Sequence, residues 1–271
     1  MTHDVWMARH PYLKTVADLH AVVETVAAEI SIPGAVIPDR NSYAGDFHNG
    51  VPLLLSSIVP IDLSPAEKAV ILLTDNLATR SLPGGLSEQI QVLASEMYSD
   101  SEAPQRAVAW LLDGDSFTPT HPGLLQYLGW TVLSRYLKPV VLAFKNSRDD
   151  ERWLRNYCPT CGSSPAMAQL VGTDPERLRL LSCGCCHTLW RYRRTGCAFC
   201  ETAEDHRLEV LAVEGEYGLR IDYCEACGGY LKTYNGEGSE DLLLKDWTSL
   251  HLDVVARDRG LKRLGMSLYE L

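Results

Sequence analysis

Cys158-Pro159-Thr160-Cys161 opens a series of four turns, continued by Cys183-Gly184-Cys185-Cys186, Cys197-Ala198-Phe199-Cys200 and Cys224-Glu225-Ala226-Cys227. All nine cysteines of the chain fall within this stretch. Two residues between cysteines let both sulfurs of a tight turn face one ion while backbone N–H groups donate to the thiolates. Each pair is therefore half of a tetrahedral four-sulfur site. Taken in order, the pairs are separated by 21 and 23 residues, near the ribbon spacing of about 15 to 20. That length also suits a strand, a turn and a returning strand, so each ion would close a hairpin in place of a hydrophobic core. The expected ligands are Cys158, Cys161, Cys183 and Cys186 for one ion, and Cys197, Cys200, Cys224 and Cys227 for the other. A crossed pairing of 183/186 with 197/200 stays open on spacing alone. Redox pairs are the competing reading, but thioredoxin-type pairs come singly at a helix start in a βαβ unit, which is absent here.

The residues beside these turns carry weaker signals. Only the outer sulfurs of a C-x-x-C turn converge easily, so Cys185 reads as a bystander pointing away, with a reactive thiol as the alternative. His187 is a spare ligand that eight cysteines make unnecessary. His121 and His251 have no partner at ligand spacing and read as solvated or core residues. Trp190, Arg191, Arg193 and Arg194 form either a basic, aromatic docking surface or a local offset to thiolate charge.

Outward from the cysteines, the first 155 residues read as helical. Val16, Leu19, Val22, Val23, Val26 and Ile30 recur at helical spacing before Pro33-Gly34 stops the run. Ser64-Pro65-Ala66-Glu67 has the cap, proline and glutamate of a helix start, and further helices are expected over 87–98, 103–112 and 122–144, the last interrupted at Pro139. Segments 178–181, 208–213 and 217–222 read as hairpin strands, and a helix is expected over 239–259, ending at Gly260. The expected fold is an α+β multidomain chain. An N-terminal all-α helical bundle (1–155) precedes two small zinc-ribbon metal modules (156–196 and 197–238) and a C-terminal helix (239–271). Each module should depend on its ion for folding, so Cys161→Ser is expected to unfold one module and leave the bundle intact.

Composition narrows the function. Twenty-five basic against thirty-five acidic side chains in 271 residues give a net charge of −10, which opposes nucleic-acid binding. The stretch 156–234 is itself slightly acidic, and no apolar stretch approaches the 18 residues of a membrane span. Without an export signal, a cytoplasmic protein is expected, in a compartment where disulfides do not persist. No phosphate-binding loop, dinucleotide fingerprint, H-E-x-x-H or G-x-S-x-G motif occurs, and Asp149-Asp150-Glu151 reads as a solvated linker. A closed four-sulfur site has no open position for activating water, so no enzyme is expected.

Several of these residues, taken in order, resemble a known family. They are Trp153…Cys158-Pro159-Thr160-Cys161-Gly162-Ser163-Ser164-Pro165, Leu181-Ser182-Cys183…Cys186-His187-Thr188-Leu189-Trp190…Arg193, Cys197…Cys200, Cys224…Cys227-Gly228…Tyr230-Leu231-Lys232, and Thr248-Ser249-Leu250-His251-Leu252-Asp253. Over about 150–265 the chain is similar to the formate dehydrogenase accessory protein family. Two departures are the extra Cys185 and Leu189, which stands where the family usually has an acidic residue. The resemblance implies a cytoplasmic, non-catalytic maturation factor with a helical domain and two rubredoxin-like modules. Such a factor binds the catalytic subunit of a molybdopterin-dependent formate dehydrogenase and supports its assembly and activity. The two ions are zinc or iron. A rubredoxin-like redox or sulfur-handling protein and a nucleic-acid-binding zinc ribbon are the competing functions.

Overall fold

The computed structural model describes residues 1–113, 117–145, 148–203, 207–216 and 218–265; Tyr217, read as a strand start, and 266–271, read with the terminal segment, lie outside them. The helical part comprises α1 (His3–Arg9), α2 (Lys14–Glu29), α3 (Arg40–His48), α4 (Ser64–Ala78), α5 (Leu86–Glu96), α6 (Ala103–Asp113), α7 (Pro122–Lys145) and the single turn α8 (Asp150–Trp153). In α4, Ala66, Ala69, Val70, Leu73, Thr74 and Leu77 are buried at three- and four-residue steps, so one face of the helix lies against its neighbours. Its entry differs slightly from the sequence expectation. Asp62 accepts from the Ser64 N–H (3.0 Å) and hydroxyl (2.7 Å), so Ser64 is inside the helix and the acceptor comes from the loop.

The helix α7 runs unbroken through Pro139 and is buried on most of its circumference. Proline removes one helical N–H and crowds the preceding turn. One turn back, the Tyr136 carbonyl accepts from the Ala35 N–H of the 30–39 loop at 2.8 Å. Gly34 meets the Pro139 ring there, and a Cβ at that position would lie 2.6 Å from Cγ. The first long helix ends at Glu29, a few residues before the pair expected to stop it, with a left-handed step at Ser31, and Pro33-Gly34 docks on the central helix.

The strands are β1 (Pro165–Val171), β2 (Leu178–Cys183), β3 (Leu189–Tyr192), β4 (Leu208–Leu211), β5 (Leu219–Cys224), β6 (Gly229–Asn235) and β7 (Lys262–Arg263). Their order is β3-β2-β1-β6-β5-β4, with β7 added to β6. Along that order neighbours are antiparallel except at the seam, where β1 and β6 pair in parallel with Met167 opposite Lys232, and the short β7 also runs parallel to β6. Each ribbon is therefore an up-down-up unit, and the two stand side by side in the same orientation, joined into one sheet.

Two other readings are revised. The charge run at 149–151 is solvated, as expected of Asp149 and Glu151, but it is no linker: it leads into the helical turn α8, where Arg148 engages Asp150, Arg191 engages Glu151, and Trp153 is buried with its ring stacked 5.1 Å from Phe47. The terminal helix is divided into α9 (Glu240–Leu243), a tight turn over 246–249, and α10 (Leu250–Asp258). The Thr248 hydroxyl bonds the Leu242 and Lys245 carbonyls, which competes with the regular helical ladder. Trp6 of α1 crosses to this end of the molecule, where its ring N–H donates to the Thr248 carbonyl and it packs with Leu219, Ile221, Leu252 and Ala256.

Candidate metal centres

The eight outer cysteines form two groups of four in sequence order, and the crossed pairing does not occur. In the first, Cys158 Sγ lies 3.5 Å from Cys186 Sγ and Cys161 Sγ lies 3.4 Å from Cys183 Sγ. In the second, the Cys197–Cys227 and Cys200–Cys224 sulfurs are each 3.8 Å apart. Four sulfurs at 2.3 Å from a tetrahedral ion stand about 3.8 Å from one another, so these separations fit a shared cation. All nine thiols are free, and the separations are far beyond the ~2.05 Å of a disulfide.

The turns are built for thiolates. Backbone N–H groups of Thr160, Cys186, Phe199 and Gly229 each point at a cysteine sulfur at 3.4 Å. The residue after the second cysteine takes a positive φ in all four turns: Gly162 (83°), His187 (58°), Glu201 (59°) and Gly228 (70°). That left-handed step sends the chain back across the turn, as in the Cys158 N–H bond to the Ser163 carbonyl (2.9 Å) and the Cys197 N–H bond to the Thr202 carbonyl (3.0 Å). His187 is thus a turn residue outside the group of four. Left-handed φ disfavours side chains with a Cβ by about 1 to 2 kcal/mol, while glycine loses more chain entropy on folding. Glu201→Gly is expected to stabilise the metal-loaded protein by roughly 0.5 to 1 kcal/mol; an unchanged or lowered melting temperature contradicts this.

The two groups differ in setting. Cys158, Cys161, Cys183 and Cys186 are each at most 2% exposed and belong to the same core as α4 and α7. The Leu53 and Leu54 N–H groups donate to the Pro159 and Thr160 carbonyls at 3.0 and 2.9 Å, and Gly184 lies so close to Trp130 that a Cβ would fall 2.6 Å from its ring. In the second group Cys200 is exposed and Cys227 half-buried.

Electrostatics point the same way. Burial drives the Cys183 and Cys186 thiols far above the ordinary range. It acts against Cys158 too, but hydrogen bonds from Cys161, Cys183 and Cys186 overcome it and hold Cys158 well below that range. Cys197 is pushed up to about 12 by burial, whereas the Thr202 backbone N–H lowers Cys200. Without a cation, Cys161, Cys183 and Cys186 beside Cys158, and Cys197 and Cys227 beside Cys200, hold their protons. A divalent ion would displace the remaining protons, so loading would be opposed by acid.

Cys185 is fully buried, so the reading that it points away from its turn holds only in the sense that it lies outside the group of four. Trp190 is fully buried too and donates to the Arg155 carbonyl at 2.9 Å, so it offers no surface to a partner. Arg191 is engaged by Glu151, Arg194 pairs with Asp174 at 2.7 Å, and Arg193 lies over the Tyr192 ring. A cleft of about 370 Å³ lies where the Cys183–Cys186 turn, the bundle and the closing segment meet, lined by His20, Trp130, His187, Lys245 and Trp247 among others. Burial pushes His20 down to about 4 there, which leaves it neutral near pH 7.

The family model "FdhE, central domain" matches residues 157–194, the first ribbon with both of its turns. A protein FdhE homolog of Aquifex aeolicus is 37% identical over 134 residues, covering 47% of each chain. Protein FdhE of Salmonella arizonae is 31% identical over 172 residues, 62% of this chain and 54% of that one. The chain is similar to proteins of the FdhE family. The matches to these two relatives span only about half of their length, whereas the FdhE homolog of Pseudomonas aeruginosa aligns at 28% identity over 267 residues, 94% of this chain and 83% of that protein. The crystal structure of the FdhE protein from Pseudomonas aeruginosa superposes with a TM-score of 0.62 at 22% identity, over 95% of this chain and 88% of that one, so the fold is shared. Within the family's fold, the two four-cysteine groups are features of this chain's own geometry. No helix among the described residues is long and apolar enough to cross a membrane.

Proposed function

We propose that this chain is a non-catalytic accessory factor that binds the catalytic subunit of a molybdopterin-dependent formate dehydrogenase in the cytoplasm and supports its assembly. The observation that carries the reading is the pair of four-cysteine groups within a fold and sequence of the FdhE family. In this reading Cys158, Cys161, Cys183 and Cys186 hold one ion, and Cys197, Cys200, Cys224 and Cys227 the other, zinc or iron in each. Four thiolates complete a tetrahedral shell, so the ions brace the fold and leave no position for substrate. The bundle (1–155), the two metal modules (156–196 and 197–238) and the closing segment (239–271) are the corresponding units, and Arg191, Arg193 and Arg194 are the exposed part of the candidate docking face. Affinity capture of the full chain from a native host is expected to recover the unassembled dehydrogenase subunit. Recovery of the assembled, exported enzyme alone, or of no subunit, would overturn the assignment.

One observation favours a second reading. The exposure of Cys200 and the half-burial of Cys227 bring the second group to the surface, as an electron-transfer iron site requires. Iron in that group with reversible reduction would support a rubredoxin-like role, and zinc there removes it.

A further inference from the structure

Beyond the cysteines, one other cluster among the described residues brings three metal-binding side chains together: His10, Glu216 and His251. They come from the end of α1, the loop after β4, and α10. Their ligand atoms lie within 4.8 Å of one another, with side chains only 6%, 8% and 15% exposed. His251 was read from sequence as having no partner at ligand spacing. The partners are remote in sequence, and folding supplies them.

Proton positions in this cluster are over-constrained. His10 Nδ1 lies 2.9 Å from the Trp6 carbonyl, which only accepts, so that nitrogen carries the proton. Its Nε2 then presents a lone pair, in the neutral ring, to Glu216 Oε1 at 2.7 Å. Two acceptors at that distance need a cation between or beside them. A second proton on His10 would serve that one contact. It would leave Glu216 Oε2 and His251 Nδ1 buried without a hydrogen bond, and it would crowd His251 Nε2, 2.8 Å from the same Oε1, onto an oxygen that already accepts from His10. A metal ion accounts for more of the arrangement. It would take the two Nε2 lone pairs and the carboxylate together, and the His10 bond to a backbone carbonyl is the orienting contact that metal-bound imidazoles usually make.

We infer that His10 Nε2, His251 Nε2 and the Glu216 carboxylate form a third metal site, for a borderline first-row divalent cation of the zinc type. Two imidazoles and a carboxylate are harder ligands than four thiolates and suit such an ion. Bonds of about 2.0 to 2.1 Å require the three ligand atoms to move apart by a few tenths of an ångström. The ion would latch α1 and α10 to the second ribbon, and it would have an open position that the four-sulfur sites lack. The inference is independent of which client the protein binds.

The probe is Zn²⁺ alone, added to the full chain and followed by removal of free ion and metal counting. Three zinc ions per chain are expected for the native sequence, and two each for His251→Gln and His10→Gln. A parallel Co²⁺ titration counts the thiolate sites separately, because sulfur-to-cobalt charge transfer reports only those. If His10→Gln does not fold, His251→Gln decides, since that side chain is the most exposed of the three. Equal zinc content in the native chain and His251→Gln, at saturating Zn²⁺, overturns the inference and leaves a buried imidazolium–carboxylate contact. Because the result is a difference between two proteins, it stands whether or not both cysteine sites fill.

Discussion

Cys161→Ser is expected to abolish the cooperative folding of the helical bundle as well as of the first ribbon. Sequence spacing alone predicts a smaller effect, in which one module unfolds and the bundle survives. The structure changes that expectation because Cys161 is 1% exposed and its group shares one core with Leu73, Leu77, Trp130 and Leu133. Four-cysteine ions contribute on the order of 10 to 16 kcal/mol in small domains, while whole proteins are stable by only about 5 to 15. Losing the ion leaves three buried thiols and a hydroxyl facing one another, against the packed surface of α7. Far-ultraviolet dichroism during heating, together with metal analysis, tests this: the helical signal should lose its sharp transition, and one ion should be missing. A variant that has lost that ion yet melts like the native chain would falsify the shared core. Cys200→Ser supplies the contrast. Its sulfur is exposed at the edge of the second group, so one ion should be lost while the helical transition stays near the native temperature.

What was legible in the sequence was what depends on short separations. The C-x-x-C turns announce themselves because two sulfurs three residues apart can meet one ion in only a few backbone shapes. The face of α4 is legible because helical spacing is local. Contacts made across the fold were not legible. His10 and His251 carry no signal as a pair, since most of the chain separates them and only the docking of α1 on α10 brings their rings to 5.0 Å. The charge run at 149–151 looked like a linker because its partner Arg191 lies on β3, forty residues on. The left-handed steps at His187 and Glu201 were hidden because neither is glycine, although Gly162 and Gly228 occupy the equivalent places. The in-order pairing of the cysteines was favoured but undecided by spacing. It is settled by the sheet, whose β1–β2 and β5–β4 hairpins return each second turn to its own first turn.

Lys232→Met is expected to destabilise the protein by about 3 to 5 kcal/mol, because it removes one cation from a closed buried network. The Lys232 ammonium, fully buried in the central strand β6, lies 2.7 Å from Asp246 and 2.6 Å from Asp253. Arg263 of β7 pairs with the same two carboxylates, and the Tyr230 hydroxyl donates to Asp253 at 2.8 Å. Two cations therefore balance two anions in a largely buried cluster. The segments Tyr230-Leu231-Lys232 and Leu252-Asp253, which carry part of the family resemblance, are the two sides of this contact. Methionine keeps much of the lysine's length and packing, so the loss would come chiefly from an uncompensated carboxylate, with a smaller part from the Asp246 and Ser249 carbonyls that accept from the ammonium, and not from a cavity. At roughly 2 to 4 °C per kcal/mol for a protein of this size, the melting temperature should fall by about 6 to 20 °C. Adding Asp253→Asn restores the charge balance between Arg263 and Asp246, and the double variant should recover a large part of the loss. That recovery separates the electrostatic origin from a packing one, because a packing defect at Lys232 would add to the Asp253 change instead of being relieved by it. A melting temperature for Lys232→Met within 2 °C of the native value would show that the two aspartates are held by Arg263 alone.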